Sequence, residues 1–196
     1  VGLFGELYFL CRWLSNAVGT SKALSTWRGP AGARNDFELP GLAIEAKTTK
    51  RVDAIHVIHG LDQLLEPAGG VLLLFALCVR EEASATESLP RLVSELRTRL
   101  ADDADALNLF EMLLYSAGYD DRLEPEYAKL TLRVRSEGLY RVSDGFPRLI
   151  PVSVVGGLPP GVDAVSYELR TDAAVAWMVA GAPSAAIKLL QDFAGS

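Results

Sequence analysis

The chain has 196 residues, 49% apolar and 22% charged, which suffices for one sizeable core and is the balance of a globular protein. Its net charge of −6 argues against a general nucleic-acid coat protein. The longest apolar run, GGVLLLFALCV at 69–79, is too short to span a bilayer as a helix and suits a buried strand.

The charge is unevenly spread. Residues 1–51 carry seven Lys or Arg against four acids, and the remainder carries twelve against twenty-one. Lys22, Arg28, Arg34, Lys47, Lys50 and Arg51 therefore surround the first third of an otherwise acidic chain. They form either a local phosphate-binding cleft or a chance cluster of solvated side chains. Cys11 and Cys78, the only cysteines, both lie in apolar surroundings and read as small buried residues. With no basic-then-apolar leader, a cytoplasmic protein with no membrane association is expected. Val1 leads directly into a helical pattern, so the sequence is expected to be the C-terminal part of a longer protein.

Residues 2–18 read as a helix with Leu3, Leu7, Leu10, Leu14 and Val18 as its buried stripe. Glu6 falls at the edge of that stripe, and Gly19 ends the helix. Residues 20–34, containing WRGPAGAR, read as a loop. A β-hairpin follows, NDFELPGLAIEAKTTK at 35–50. Then come a short strand near 54–58, a helix at 60–66 stopped by Pro67, and a central strand at 71–79. Helices are expected at 88–101 and 103–117, a hairpin of strands 128–135 and 138–143 turning over SEG, and strands at 148–155 and 163–170. Helices at 173–180 and 184–194 close the chain. The pattern is α/β, a central mixed β-sheet flanked by helices on both faces, and one domain over 1–196 is the simplest count.

The hairpin carries the chemistry. Pro40 fixes φ and Gly41 tolerates φ > 0, so a two-residue turn pairs Leu39 with Leu42, Phe37 with Ile44, Asp36 with Glu45 and Arg34 with Lys47. Two carboxylates directly across a ladder repel. A divalent cation between them resolves this, and hard cations such as Mg²⁺ take carboxylate and carbonyl oxygens, with the Ala46 carbonyl as a third donor. Lys47, one step further on the same face, would hold or activate a water beside a phosphate. The alternative is a surface cluster in which Lys47 and Arg34 merely neutralise the acids. His56 and His59, the only histidines, lack a third soft ligand nearby and fit an oxygen-rich site poorly as ligands.

Asp36 followed by Glu45-Ala46-Lys47 resembles the PD-(D/E)xK nuclease signature, with Asn35 at the position of the name-giving proline. The segments GLFGEL, W-x-G-P…NDFEL, IEAKTT, IHGLDQL and DGFPRLI, within residues 2–150, resemble an uncharacterised bacterial family of PD-(D/E)xK motif proteins associated with restriction and phage-defence loci. That resemblance implies a restriction-endonuclease-like core and a metal-dependent endonuclease that hydrolyses DNA phosphodiester bonds. It implies Mg²⁺, or Mn²⁺, as the cofactor. Asp36 and Glu45 carry over as metal ligands, Lys47 as the catalytic lysine and Glu6 as an acid of the first helix. Gln63 carries over as the polar residue of a helix after the core strands. Arg28, Arg34, Thr48, Lys50 and Arg51 are the expected nucleic-acid contacts, and a homodimer or a defence-system partner protein is compatible. A noncatalytic nucleic-acid-binding or assembly module that keeps the fold is the alternative.

Overall fold

The computed structural model describes residues 1–195. Its central sheet has five strands in the order β1–β2–β4–β5–β7. These are β1 (Phe37–Leu39), β2 (Leu42–Thr49), β4 (Val71–Glu81), β5 (Leu132–Val142) and β7 (Met178–Ala180). β2 and β4 are parallel and every other adjacent pair is antiparallel. The chain passes between β2 and β4 through β3 (Ile55–His59), which pairs with β6 (Ser166–Arg170) in a separate two-stranded ribbon.

Alternation along β4 divides the core. Leu73, Phe75 and Leu77 face one layer, and Leu72, Leu74 and Ala76 face the other. The first layer is helical: α1 (Gly2–Tyr8), α2 (Ser15–Val18), α3 (Thr20–Ser25), α4 (Leu89–Arg99), α5 (Ala104–Ser116) and α7 (Pro183–Ala194), with α6 (Glu124–Tyr127) beside α4. The second layer is the ribbon together with a 3₁₀ helix over Thr171–Trp177.

α1 and α2 form one helical run, joined by a π-helical stretch over Phe9–Leu14. Leu7, Leu10 and Leu14 are fully buried, and so are Phe9, Cys11 and Trp13, so this run is covered almost all round. Phe9 packs edge-on against Phe37 and tilted against Phe75, at centroid distances of 5.1 and 4.8 Å, which seats the helix under the hairpin. Gly19 ends the run at φ 84°, and α3 follows where the composition suggested only loop.

Four further expectations are corrected. Residues 60–66 are turns with Gly60 at φ 85°, not a helix. The proposed hairpin over SEG is the single strand β5, whose ladder with β4 absorbs an irregularity between Cys78 and Val79. Residues 148–155 contain a 3₁₀ turn at Pro151–Ser153 instead of a strand. Residues 173–180 divide between the 3₁₀ helix and β7.

Candidate active site

The β1–β2 register is the one the Pro40-Gly41 turn dictates: Leu39 opposite Leu42, Glu38 opposite Ala43, Phe37 opposite Ile44. Asp36 lies just before β1, where its carbonyl accepts from the backbone N–H groups of Arg28 and Gly29 at 2.7 and 3.1 Å. Its carboxylate turns toward β2, and Oδ2 accepts from the Ala46 N–H at 2.7 Å. Glu45 and Lys47 project from β2 on the ribbon side, and Lys47 Nζ lies 2.8 Å from Glu45 Oε1. Glu45 is 2% exposed.

Glu6 enters from α1. Gly5 makes this possible: a Cβ there would overlap the Thr48 hydroxyl, so the helix presses directly on β2. Glu6 Oε2 accepts from Trp27 Nε1 at 2.8 Å. Gly29 completes the approach, since a Cβ on it would lie 2.5 Å from Glu6 Oε2 and 2.9 Å from Asp36 Oδ1. A glycine backbone therefore leaves room for two carboxylates that any side chain would push apart.

These groups line an open pocket of about 320 Å³ with Gly2, Ala46, Thr48, Thr49, Arg51, Ile55, Val57, His59 and Gln63. Of the expected residues, Glu6, Asp36, Glu45, Ala46, Lys47, Thr48, Arg51 and Gln63 thus meet at one pocket. Arg28, Arg34 and Lys50 do not line it: Arg28 and Arg34 are exposed, and Lys50 pairs with Glu81. Arg34 does not face Lys47 across the hairpin, and its Nε approaches Asn35 Oδ1 at 3.4 Å. Gln63 arrives on a turn, with Oε1 accepting from the His59 N–H at 2.9 Å.

The pocket concentrates unbalanced negative charge. Burial, then the neighbouring Asp36 carboxylate, pushes both Glu6 and Glu45 up to about 7. Burial also raises Asp36, opposed by the Ala46 N–H and by Lys47. Three acids thus share one ammonium, the donor set that a hard divalent cation relieves. Among the described residues no three His, Cys, Asp or Glu side chains converge on one point as a complete protein cage. Two carboxylates and a carbonyl, completed by waters, are donors of the kind that hard divalent cations take, and the residues present are of that chemistry.

His56 and His59 project to opposite faces of β3 and cannot act as a pair on one side. His56 is 1% exposed, with Nε2 3.7 Å from Cys78 Sγ, and burial followed by Lys47 pushes it down to about 4, so it is neutral. Sequence reasoning passed over Asn35, which is 2% exposed. Its Nδ2 donates to Glu45 Oε2 and to the Gln63 carbonyl, both at 3.0 Å. Strand alternation groups Asn35 with Phe37 and hides this contact. Residues 34–36 are a bend, which frees the amide to reach Glu45.

A family model described as "Putative PD-(D/E)XK family member" matches residues 1–172. No curated protein and no solved structure matches the chain.

Proposed function

The chain belongs to this PD-(D/E)XK family, and from that membership and the pocket's charge we propose that it is a divalent-metal-dependent nuclease that hydrolyses DNA phosphodiester bonds. The observation that carries the reading is the meeting of Glu6, Asp36 and Glu45 around Lys47 in one open pocket. In this reading Asp36, Glu45 and the Ala46 carbonyl would hold Mg²⁺ or Mn²⁺. The bound ion supplies charge stabilisation at the scissile phosphate and a lowered pKa for the attacking water.

The chain's own residues do the rest. Lys47 is 15% exposed and faces the pocket, so its ammonium can leave Glu45 Oε1 to donate to the attacking water or to a phosphate oxygen. That holds the water in line with the leaving oxygen as the new P–O bond forms and the old one breaks. The Ala46 N–H fixes Asp36 Oδ2, so the carboxylate keeps its orientation through the reaction. Arg51 and Thr48 also line the pocket and in this reading would receive backbone phosphates, Arg51 on leaving its partners Glu168 and Asp53. Arg28, Arg34 and Lys50 lie outside the pocket and would serve only flanking phosphates.

The proposed setting is bacterial restriction or phage defence, in the cytoplasm, with one nuclease domain acting as a homodimer or beside a defence partner protein. It rests on the resemblance of the segments quoted above. No described helix is long and apolar enough to cross a membrane. One observation favours a second reading, a noncatalytic nucleic-acid-binding or assembly module: Glu45 has both oxygens engaged, by Lys47 and by Asn35. Incubation with plasmid, linear and single-stranded DNA and with RNA, with and without Mg²⁺, decides between them. Mg²⁺-dependent cleavage of DNA that Asp36→Ala abolishes is expected. DNA binding without cleavage under any divalent ion would establish the module.

A further inference from the structure

Glu45 is held from behind by a clamp that the family signature does not contain. Asn35 occupies the position of the signature proline and spends both N–H groups of its amide. One goes to Glu45 Oε2 and the other to the Gln63 carbonyl, each at 3.0 Å. The turn that offers this carbonyl is itself pinned. Gln63 Oε1 takes the His59 N–H at 2.9 Å, and Leu64 is fully buried in the ribbon-side core. Arg148, from the downstream FPRLI segment, donates to the Leu64 carbonyl at 2.5 Å and pairs with Glu66 at 2.6 Å. The turn 60–66 is therefore an anchored platform.

We propose that Asn35 is a positioning residue: its amide ties the inner oxygen of Glu45 to the anchored 60–66 turn and leaves the outer oxygen, Oε1, for the pocket. This rests on the nuclease reading above and assigns roles to two residues. Asn35 orients a ligand without touching the substrate. Gln63 serves through its backbone carbonyl and through the grip of its side chain on the turn, not as a group on the reacting atoms. The physical reason is that Oε1 already meets Lys47, and without a second donor the buried carboxylate could turn about its last bond and exchange its two oxygens. One donor on Oε2 fixes which oxygen faces the ion. Proline at this position could donate nothing, so the substitution changes how the ligand is held while the ligand itself stays.

The test is Mn²⁺ binding by calorimetry on the full chain, with thermal melts to confirm folding. Asn35→Leu keeps the shape and removes the donor. It is expected to weaken Mn²⁺ binding roughly 10–100-fold, the usual cost of losing a hydrogen-bond partner behind a metal ligand. Asn35→Gln, which keeps the amide, is expected to recover most of the affinity at a similar melting temperature. A merely structural role would lower the melting temperature of both variants and leave binding to the folded protein unchanged. If the parent binds Mn²⁺ and Asn35→Leu binds it equally well, this inference falls and the nuclease reading stands. If the parent itself takes no Mn²⁺, the nuclease reading falls and takes the inference with it. Should Asn35→Leu fail to fold, the smaller Asn35→Ala decides: weaker Mn²⁺ binding by the folded protein supports the clamp, and unchanged binding overturns it.

Discussion

Two clusters of carboxylates in this chain are held by opposite means. In the helical layer Arg12 grips Glu87 at 3.1 Å and Glu95 at 2.6 Å, and Arg99 takes Glu95 at 2.6 Å. Two guanidinium groups meet two acids, and Glu95 is pushed down to about 2, chiefly by its hydrogen bond from Arg12. In the hairpin pocket three acids meet one ammonium, and Glu6 and Glu45 are pushed up to about 7. The first cluster is balanced and fastens α4 to the first helical run. The second is out of balance, with a single ammonium and the Trp27 and Ala46 N–H groups set against three acids. An acid pushed up inside an open pocket marks a place for something positive to arrive. An acid pushed down on a helix surface marks a fastening.

The sharpest break in that comparison is on the pocket side. Asp36→Ala is expected to abolish both Mn²⁺ binding and cleavage. Lys47→Ala should keep metal binding and lose cleavage roughly 10²-fold or more, as for a group acting in the transition state. Calorimetry beside a cleavage time course reads both. Next in size is the effect of the ion on stability. Mn²⁺ at a hundred times its dissociation constant should stabilise the parent by about 2.7 kcal/mol. The same addition should leave the melting temperature of Asp36→Ala unchanged.

Without metal, the pocket carries a pH signature of opposite sign to that of the helical cluster. Glu45 titrates near 4.5 in the unfolded chain and near 7 in the folded one. The folded state therefore holds the proton longer, and stability falls as pH rises from about 4.5 to about 7 and is flat above. Glu45→Gln should flatten that slope in melts across this range. Glu95 runs the other way: its contribution is present above about 4.5 and is lost as pH falls toward about 2. The smallest expected effect is that of Glu95→Gln, a loss of about 1 kcal/mol at neutral pH because the pair is partly solvated. It should leave cleavage unaltered. A large loss of cleavage would erase the distinction between the two clusters.

The legible parts of this molecule were those fixed by neighbours in sequence. Pro40-Gly41 set the hairpin register, Gly19 ended the first helix, and the run at 71–79 was the central strand. What escaped was settled from afar. A helix over 60–66 is prevented at its start, where Gly60 sits at φ 85° with its N–H on the Val165 carbonyl and Gln63 Oε1 takes the His59 N–H. Gly138 reads as a turn residue, but pairing with β4 along nearly the whole strand carries the chain straight through it. The same holds at the pocket. Asp36, Glu45 and Lys47 stand out by type and spacing, whereas Asn35 shows its part only when the bend at 34–36 turns it toward Glu45.

The π-helical stretch at Phe9–Leu14 gives the first helix the properties of a ratchet. Such a stretch holds extra chain relative to an α-helical path of the same rise. Behind it the helix is seated on α7; ahead of it Gly5 and Glu6 face β2 and the pocket. A deletion of one residue there would let the coil close to α geometry with the leading turn still in register, whereas an insertion of one residue that the coil does not absorb would swing that turn by about 100° relative to the seated part. Glu6 would then leave Trp27 while the helix itself persisted. Insertions in this short segment, more than substitutions or a single deletion, are the changes that would disconnect the first helix from the pocket it serves.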